Sequence, residues 1–281
     1  MHKVIRKIRR AITMDEPGYY DMVLNEGERF FARLYLHHIR EVLTAHPTFP
    51  IVLSLSKDEG ERPRPLKLLD AGCQTGRLAI PLAKDGHQVT GVDTGGIAIH
   101  KARQHARNSG VPLQLTEAVP SLLPRKCRSA GALRLIRADL GRWLPKQPAG
   151  SFDVVLCNEV LYLRDNWREL LQGLIRLLRP GGLCFISHRP PAFYRAQTTG
   201  EGTVDGSYYN WQEREDLRRI YEESGIQVLK VVPIWLLSRT VNPEKVTEEQ
   251  REMLFQEEIS APDGGDAARY LLVCGKKRVS E

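Results

Sequence analysis

The chain has 281 residues, 42% hydrophobic and 27% charged, which excludes collagen, a coiled coil and wholesale disorder and leaves room for one large domain or two small ones. Lys and Arg outnumber Asp and Glu by 41 to 34, and the net charge of +7 admits nucleic acid or anionic lipid as a partner without requiring either. Five scattered cysteines with no C-x-x-C pair argue against a zinc centre or a disulfide framework, so no metal is expected.

The start is basic. Ile5, Ile8 and Ile12 fall at helical spacing among Lys3, Arg6, Lys7, Arg9 and Arg10. That pattern suits a solvated helix packed on its own domain, or one lying on a membrane or on RNA. No apolar signal region follows, and no stretch approaches the roughly 18 apolar residues of a membrane span. Cys157 and Cys184 sit in apolar runs, as reduced thiols do, so a cytoplasmic location is expected. Asp15-Glu16-Pro17-Gly18 has the composition of a hinge, Tyr19 and Tyr20 follow it, and residues 27–43 carry a helical pattern. Residues 1–50 are therefore read as a helical cap or lid. Residues 51–65 lack periodicity and read as an exposed loop insertion.

From residue 66 onward, strand-like runs alternate with helical ones. Strands are expected at 66–70, 89–93, 133–138 and 152–157, and helices at 77–84 and 97–108. Residues 114–133 hold two prolines and the bases Arg125, Lys126 and Arg128, and read as a second inserted loop. Its removal is expected to join Leu113 smoothly to Arg134. Trp167, Leu170, Leu171, Leu174 and Leu178 mark one face of an amphipathic helix, with Asp165 or Asn166 as cap and Pro180-Gly181-Gly182 as its sharp end. A strand at 183–187, a long loop at 189–210, a helix at 211–224 stopping at Gly225 and a strand at 228–236 come next. Thr247-Glu248-Glu249-Gln250 fits a capping box for a further helix, and residues 269–275 form a closing strand. The alternation predicts an α/β domain over 66–281, a mostly parallel sheet with helices on both faces.

One segment carries the chemistry. The strand Leu68-Leu69-Asp70 runs into Ala71-Gly72-Cys73-Gln74-Thr75-Gly76 and then into a helix. Glycines there allow a ligand close to the backbone, and a helix start offers free N–H groups. Asp93, at the end of the next strand and 17 residues past Gly76, suits the two hydroxyls of a ribose. The glycine spacing is not that of a dinucleotide fingerprint, and no Lys-Ser or Lys-Thr follows Gly76 as in a phosphate-binding loop. Asp70 at the strand end suits a cationic ligand better than a pyrophosphate.

These residues resemble motif I of the class I S-adenosylmethionine-dependent methyltransferases. Val92-Asp93 (with Thr94 beside it), Ala138-Asp139-Leu140, the run from Phe152 through Asn158-Glu159-Val160-Leu161, and Leu177-Leu178-Arg179-Pro180-Gly181-Gly182 are similar to that family's later motifs, in the family's order. The pattern is nearest to the small-molecule enzymes of ubiquinone and menaquinone biosynthesis. The resemblance implies a three-layer Rossmann-like fold, its seven-stranded sheet having one antiparallel strand, at 269–275. It implies S-adenosyl-L-methionine as cofactor, with Asp70, Gly72, Cys73, Gln74 and Gly76 holding the amino-acid part. Asp93 and Thr94 would hold the ribose, Asp139 and Leu140 would frame the adenine, and Asn158 and Glu159 would lie beside the methyl group. The long gap between Asp93 and Asp139 leaves Glu117 as an alternative adenine partner. The strand leading into Asp139 favours the latter.

The acceptor is less constrained. The N/D-P-P-Y/F signature of nucleobase and glutamine amine methylation is absent at Asn158-Glu159-Val160-Leu161, and Cys157 lies mid-strand rather than as a nucleophile. A small-molecule acceptor (O, N or C) is the leading expectation. An RNA or protein methyltransferase and a non-catalytic cofactor-binding module are the alternatives. His188, at a strand's C-terminal end, and Glu159 are candidate catalytic groups, His188 as a base. Arg189 suits an acceptor carboxylate or phosphate, or equally a pairing with Glu159 or solvent, and Phe193, Tyr194, Tyr208 and Tyr209 are further candidate acceptor contacts. No feature specifies an oligomeric state.

Overall fold

The computed structural model describes residues 25–46, 65–114, 131–194, 200–204, 207–235, 243–261 and 268–279. The basic start, the hinge, Tyr19, Tyr20, Glu117, Cys127 and nearly all of both insertions lie outside them.

In chain order the elements are α1 (Glu26–Ala45), β1 (Lys67–Ala71), α2 (Ala79–Lys84), β2 (Gln88–Asp93), α3 (Gly96–Asn108), β3 (Ala132–Arg137), α4 (Leu140–Trp143), β4 (Phe152–Cys157), α5 (Trp167–Leu177), β5 (Leu178–His188) and α6 (Pro191–Tyr194). Then come β6 (Gly200–Val204), β7 (Ser207–Trp211), α7 (Arg214–Glu223), β8 (Ile226–Ile234), α8 (Glu248–Ser260) and β9 (Tyr270–Lys277). Short 3-10 turns at Leu144–Lys146 and Leu161–Leu163 follow α4 and β4.

Seven strands form one sheet in the order β3-β2-β1-β4-β5-β9-β8. The pairs from β3 to β5 are parallel, whereas β9 runs antiparallel to both β5 and β8. The closing strand is thus the reversed one, as expected. Side chains alternate between the two faces. Leu68, Val154, Leu156, Leu183, Phe185 and Leu272 join the core that holds α1, α2 and α3. Leu69, Val155, Cys157, Cys184, Ile186 and Val273 join the core of α5 and α7, where Trp167, Leu170, Leu171 and Leu174 supply the helical stripe. Each face is therefore apolar, and the sheet is covered on both sides. At the end of the sheet away from the glycine turn, buried Asp153 accepts the Lys67 N–H at 2.7 Å and pairs with Arg179, locking β1, β4 and β5 together.

Several boundaries differ from expectation. Residues 189–210 are not one long loop, because β6 and β7 pair as an antiparallel hairpin, Gly200 opposite Trp211. Trp211 therefore belongs to a strand, and α7 starts at Arg214. The Pro180-Gly181-Gly182 turn ends α5 but is part of β5: Leu178 already pairs with Phe152, and the register shifts before Val154 meets Leu183. Asn166 occupies the cap position of α5 without accepting a bond there; its own N–H goes to Asp165 Oδ1 at 2.9 Å. The capping box at Thr247 and Gln250 is present with both bonds, at 3.2 and 3.0 Å. Leu113 pairs with Leu133 side by side in a parallel bridge, so the two do not lie end to end and excision of the segment between them would not splice the chain smoothly.

Helix α1 is a core element as well as a cover. Tyr35, Leu36, Ile39 and Leu43 are buried against the sheet, while Phe30, Phe31 and Leu34 pack with Leu254 and Phe255 of α8. Among the described residues, no helix is long and apolar enough to cross a membrane.

Candidate active site

The C-terminal ends of β1, β2, β4 and β5 lie on one edge of the sheet, where ligands bind in open α/β folds. After β1 the chain turns through Gly72 (φ 85°), Gln74 (φ 46°) and Gly76 (φ 86°). Left-handed backbone at Gln74 costs energy that a non-glycine residue bears only when its surroundings hold it there. Two bonds do so: the Gln74 N–H donates to Asp93 Oδ2 at 3.0 Å, and the Gly72 N–H donates to Val92 O at 2.7 Å. A Cβ on Gly72 would stand 2.2 Å from Val160 Cγ2, so glycine lets the turn approach the chain after β4.

Asp93 also accepts the Gly95 N–H at 2.7 Å, and burial raises its pKa against these bonds. Thr94 next to it is exposed, its carbonyl accepting Arg137 Nε at 3.4 Å. Asp70 is buried at the end of β1. Desolvation pushes its carboxyl up to about 7, against the Arg77 charge and the Ala79 N–H. Burial also pushes the Cys73 thiol well up, and its sulfur packs under Gly91, which leaves its backbone to the turn. Asp139 caps α4 at the Arg142 N–H and pairs with Arg164 at 3.1 Å. Burial raises its pKa, but the Arg164 bond and charge outweigh that and leave it below the usual range. The Ala138 N–H donates to Asp93 O at 2.9 Å, which sets Asp139 beside the Asp93 edge, and buried Leu140 follows. These cofactor candidates therefore gather on one edge.

Asn158 and Glu159 leave β4 on the same edge. Glu159 is left-handed (φ 62°), its N–H donates to Ser187 Oγ at 2.7 Å, and its carboxylate is buried. Arg77 Nη2 donates to Glu159 Oε1 at 2.6 Å, and Arg77 Nη1 donates to Glu28 Oε2 of α1 at 2.9 Å. Tyr270 Oη donates to Glu159 Oε2 at 3.0 Å and accepts from Arg189 Nη2 at 2.8 Å. Arg189 also lies over the Tyr162 and Tyr270 rings, 4.6 and 4.0 Å from their centroids. The Glu28–Arg77–Glu159 part of this chain is the main feature that sequence reasoning missed. Glu28 and Tyr35 lie seven residues apart on one face of α1, which was its one available signal. Both amide atoms of Asn158 and Oε1 of Gln74 are buried with no hydrogen-bond partner, so they suit a polar ligand on this edge.

His188 does not stand here. Strand alternation turns it to the other face, where it is fully buried, 2.8 Å from Tyr221 Oη and edge-on to Trp167. Desolvation lowers its pKa to about 3, which makes it a poor proton acceptor. The base role expected of it is corrected accordingly. The hairpin does come to the site: Tyr209 stacks on Tyr162 at 6.2 Å, and Asn210 Nδ2 donates to Leu161 O at 2.9 Å. Phe193 and Tyr194 lie in α6, and Tyr208 donates to Glu201 at 2.7 Å. Elsewhere, His37, His38 and Glu41 bring three potential metal-ligand atoms within 4.8 Å, but the Lys230 ammonium holds Glu41 at 2.7 Å.

Five parallel strands, a reversed β9 set between β5 and β8, a glycine turn after β1 and an acid ending β2 define the class I methyltransferase fold. The chain matches the methyltransferase domain family over residues 35–231 and belongs to it. The ubiquinone biosynthesis O-methyltransferase of Cronobacter sakazakii is 33% identical over 121 residues, 43% of this chain and 41% of that protein. Its counterpart from Pseudomonas aeruginosa is 28% identical over 188 residues, 63% of this chain and 69% of that protein. The match thus spans about two fifths of the length of the first of these relatives. Magnesium protoporphyrin IX methyltransferase of Synechocystis PCC 6803, crystallised with S-adenosylhomocysteine, shares the fold at a TM-score of 0.52 and 15% identity, covering 98% of this chain and 94% of that one.

Proposed function

We propose that the protein is an S-adenosyl-L-methionine-dependent methyltransferase acting on a small-molecule acceptor through O, N or C. One observation carries this reading: Asp93 accepts the N–H of Gln74, so the ribose-type acid and the glycine turn form a single preset cradle at the strand ends. The relatives that are ubiquinone biosynthesis O-methyltransferases support the small-molecule class.

The residues fit the cofactor. Gly72, Cys73, Gln74 and Gly76 would hold its amino-acid part, with Asp70 as the carboxylate facing its positive charge. Asp93 would take the ribose hydroxyls, with Thr94 alongside, and Asp139 and Leu140 would flank the adenine. Asn158 and Glu159 would stand beside the methyl group, the Asn158 amide gaining the partners it lacks. When bound, the cofactor supplies a methyl group on a positively charged sulfur. The chain's task is then to align the acceptor and exclude water. Glu159, held by Arg77 and Tyr270, would orient groups beside the methyl and stays a candidate catalytic group. Residues 1–50 would cap a cofactor domain of residues 66–281, α1 lying over the glycine turn through the Glu28–Arg77 pair. The buried, unpaired thiols of Cys73, Cys157, Cys184 and Cys274 support a cytoplasmic setting.

The test is transfer of label from methyl-labelled cofactor into a host extract split into metabolite, RNA and protein fractions. Label in the metabolite fraction is expected. Label confined to RNA or protein would overturn the acceptor class, and cofactor binding without transfer to any fraction would overturn the activity.

A further inference from the structure

Among the described residues, three that are not glycine have left-handed backbone: Gln74 (φ 46°), Glu159 (φ 62°) and Trp235 (φ 63°). That conformation costs energy in any residue with a Cβ, and it gathers where function needs it. Gln74 follows β1 and Glu159 follows β4, both on the site edge. Trp235 follows β8. Because β8 and β5 both run antiparallel to β9, β8 ends on that same edge. Of the three, Trp235 is the one that the cofactor reading leaves without a role.

Two routes bring Trp235 to Glu159. Along the sheet, the Trp235 carbonyl accepts the Arg269 N–H at 3.2 Å, and the next residue, Tyr270, donates its hydroxyl to Glu159 Oε2 at 3.0 Å. Over the sheet, Phe31 of α1 packs on the indole with ring centroids 3.7 Å apart. Glu28, one turn earlier on α1, meets Arg77, which meets Glu159. The guanidinium carbon of Arg269 also lies 3.7 Å from the indole centroid. Two groups that close cannot share one ring face, so the indole is clamped between them. Its Nε1 is buried and has no hydrogen-bond partner. An indole nitrogen only donates, and a buried donor left unmade is costly. A rigid donor of this kind beside the site suits a ligand that supplies a lone pair.

Resting on the methyltransferase reading above, we propose that Trp235 determines acceptor specificity: its indole N–H binds a hydrogen-bond-accepting oxygen (carbonyl, hydroxyl or ether) of the acceptor. Contacts run from Trp235 through Arg269 and Tyr270 to Glu159, so this oxygen is remote from the atom that is methylated. A molecule without it leaves the N–H unpaired and binds less well.

The experiment uses the full chain, methyl-labelled cofactor and the metabolite fraction of the host extract in a dilution series. Trp235→Phe keeps an aromatic ring and removes the N–H. It should raise the amount of fraction needed for half-maximal transfer about tenfold, while affinity for S-adenosylhomocysteine, read by calorimetry, stays the same. Trp235→His, which keeps a ring N–H, should recover part of the loss. If the Phe variant does not fold, benzothienylalanine at position 235 makes the same comparison, because it keeps the indole shape with sulfur in place of the N–H. Equal half-maximal amounts with and without the N–H would overturn this inference and leave the activity standing. A matching fall in affinity for S-adenosylhomocysteine would overturn it as well, by giving Trp235 to the cofactor. Failure of the unaltered protein to label the metabolite fraction would overturn both readings.

Discussion

Arg77 Nη2 lies 2.6 Å from Glu159 Oε1, and each side chain is only 6% exposed. The pair joins the end of the glycine turn to the chain after β4, and Arg77 reaches on to Glu28 of α1 at 2.9 Å. One guanidinium therefore ties together three elements that are remote in sequence.

Arg77→Gln would remove the guanidinium that bonds both the buried Glu159 carboxylate and the partly buried Glu28 carboxylate. Breaking a buried pair from one side costs about 3–5 kcal/mol. Urea unfolding should show a loss of that order, with Arg77→Lys recovering part of it. A change below about 1 kcal/mol would show that water already reaches the cluster.

Asp93→Ala removes both the proposed ribose partner and the acceptor of the Gln74 N–H. Affinity for S-adenosylhomocysteine should fall more than about tenfold, which is 1.4 kcal/mol. Calorimetry on the folded variant checks this, and unchanged affinity would remove Asp93 from the cofactor site.

Gly72→Ala meets two obstacles at once, a φ of 85° and a Val160 Cγ2 at 2.2 Å. The backbone strain alone is worth about 1–3 kcal/mol. Thermal unfolding should show a clear fall in midpoint. Adding Val160→Ala should return the packing share of the loss but not the backbone share, and a double variant no better than the single one would assign the whole effect to φ.

Two buried groups pull the pH dependence of stability in opposite directions. The pKa of His188 falls from 6.5 to about 3 on folding, so between those values the unfolded chain binds more protons. Its contribution is intact above pH 6.5 and is lost as pH falls towards 3. Asp70 rises from 3.8 to about 7, so its contribution is full below 3.8 and is lost as pH climbs through 7. Unfolding free energies measured from pH 4 to 8 should accordingly fall less steeply on the acid side in His188→Leu. Asp70→Asn should compare better with the unaltered protein at pH 8 than at pH 4. Parallel curves for all three proteins would reject both assignments.

Period-two and period-3.6 patterns made the sheet and its covering helices legible, because burial on a fixed face constrains residue type at each step. The glycine turn and Asp93 were legible for a similar reason: backbone shape there allows few residues. The hairpin was missed although Asp205-Gly206 between Thr203-Val204 and Tyr208-Tyr209 is a hairpin signal, both strands being short and the first carrying Gly200 and Gly202. The misplacement of His188 was avoidable, since Cys184, Ile186 and His188 share strand parity and must point the same way. The Glu28–Arg77–Glu159 cluster had no comparable local trace. Its bonds span 49 and 82 residues, and a charged residue on a helix reads as solvated until the fold brings its partner to it.

The bridge between Leu113 and Leu133 fixes a minimum tether. Gln114 N–H donates to Leu133 O and Leu133 N–H to Pro112 O, both at 2.9 Å, and the two segments run in the same direction. A chain leaving one and entering the other must travel back the full length of the pair, and such a return takes about a dozen residues. The stretch between them is thus obligatory in length. A deletion that empties the connection would pull β3 from its place and imitate a loss of function that has nothing to do with charge.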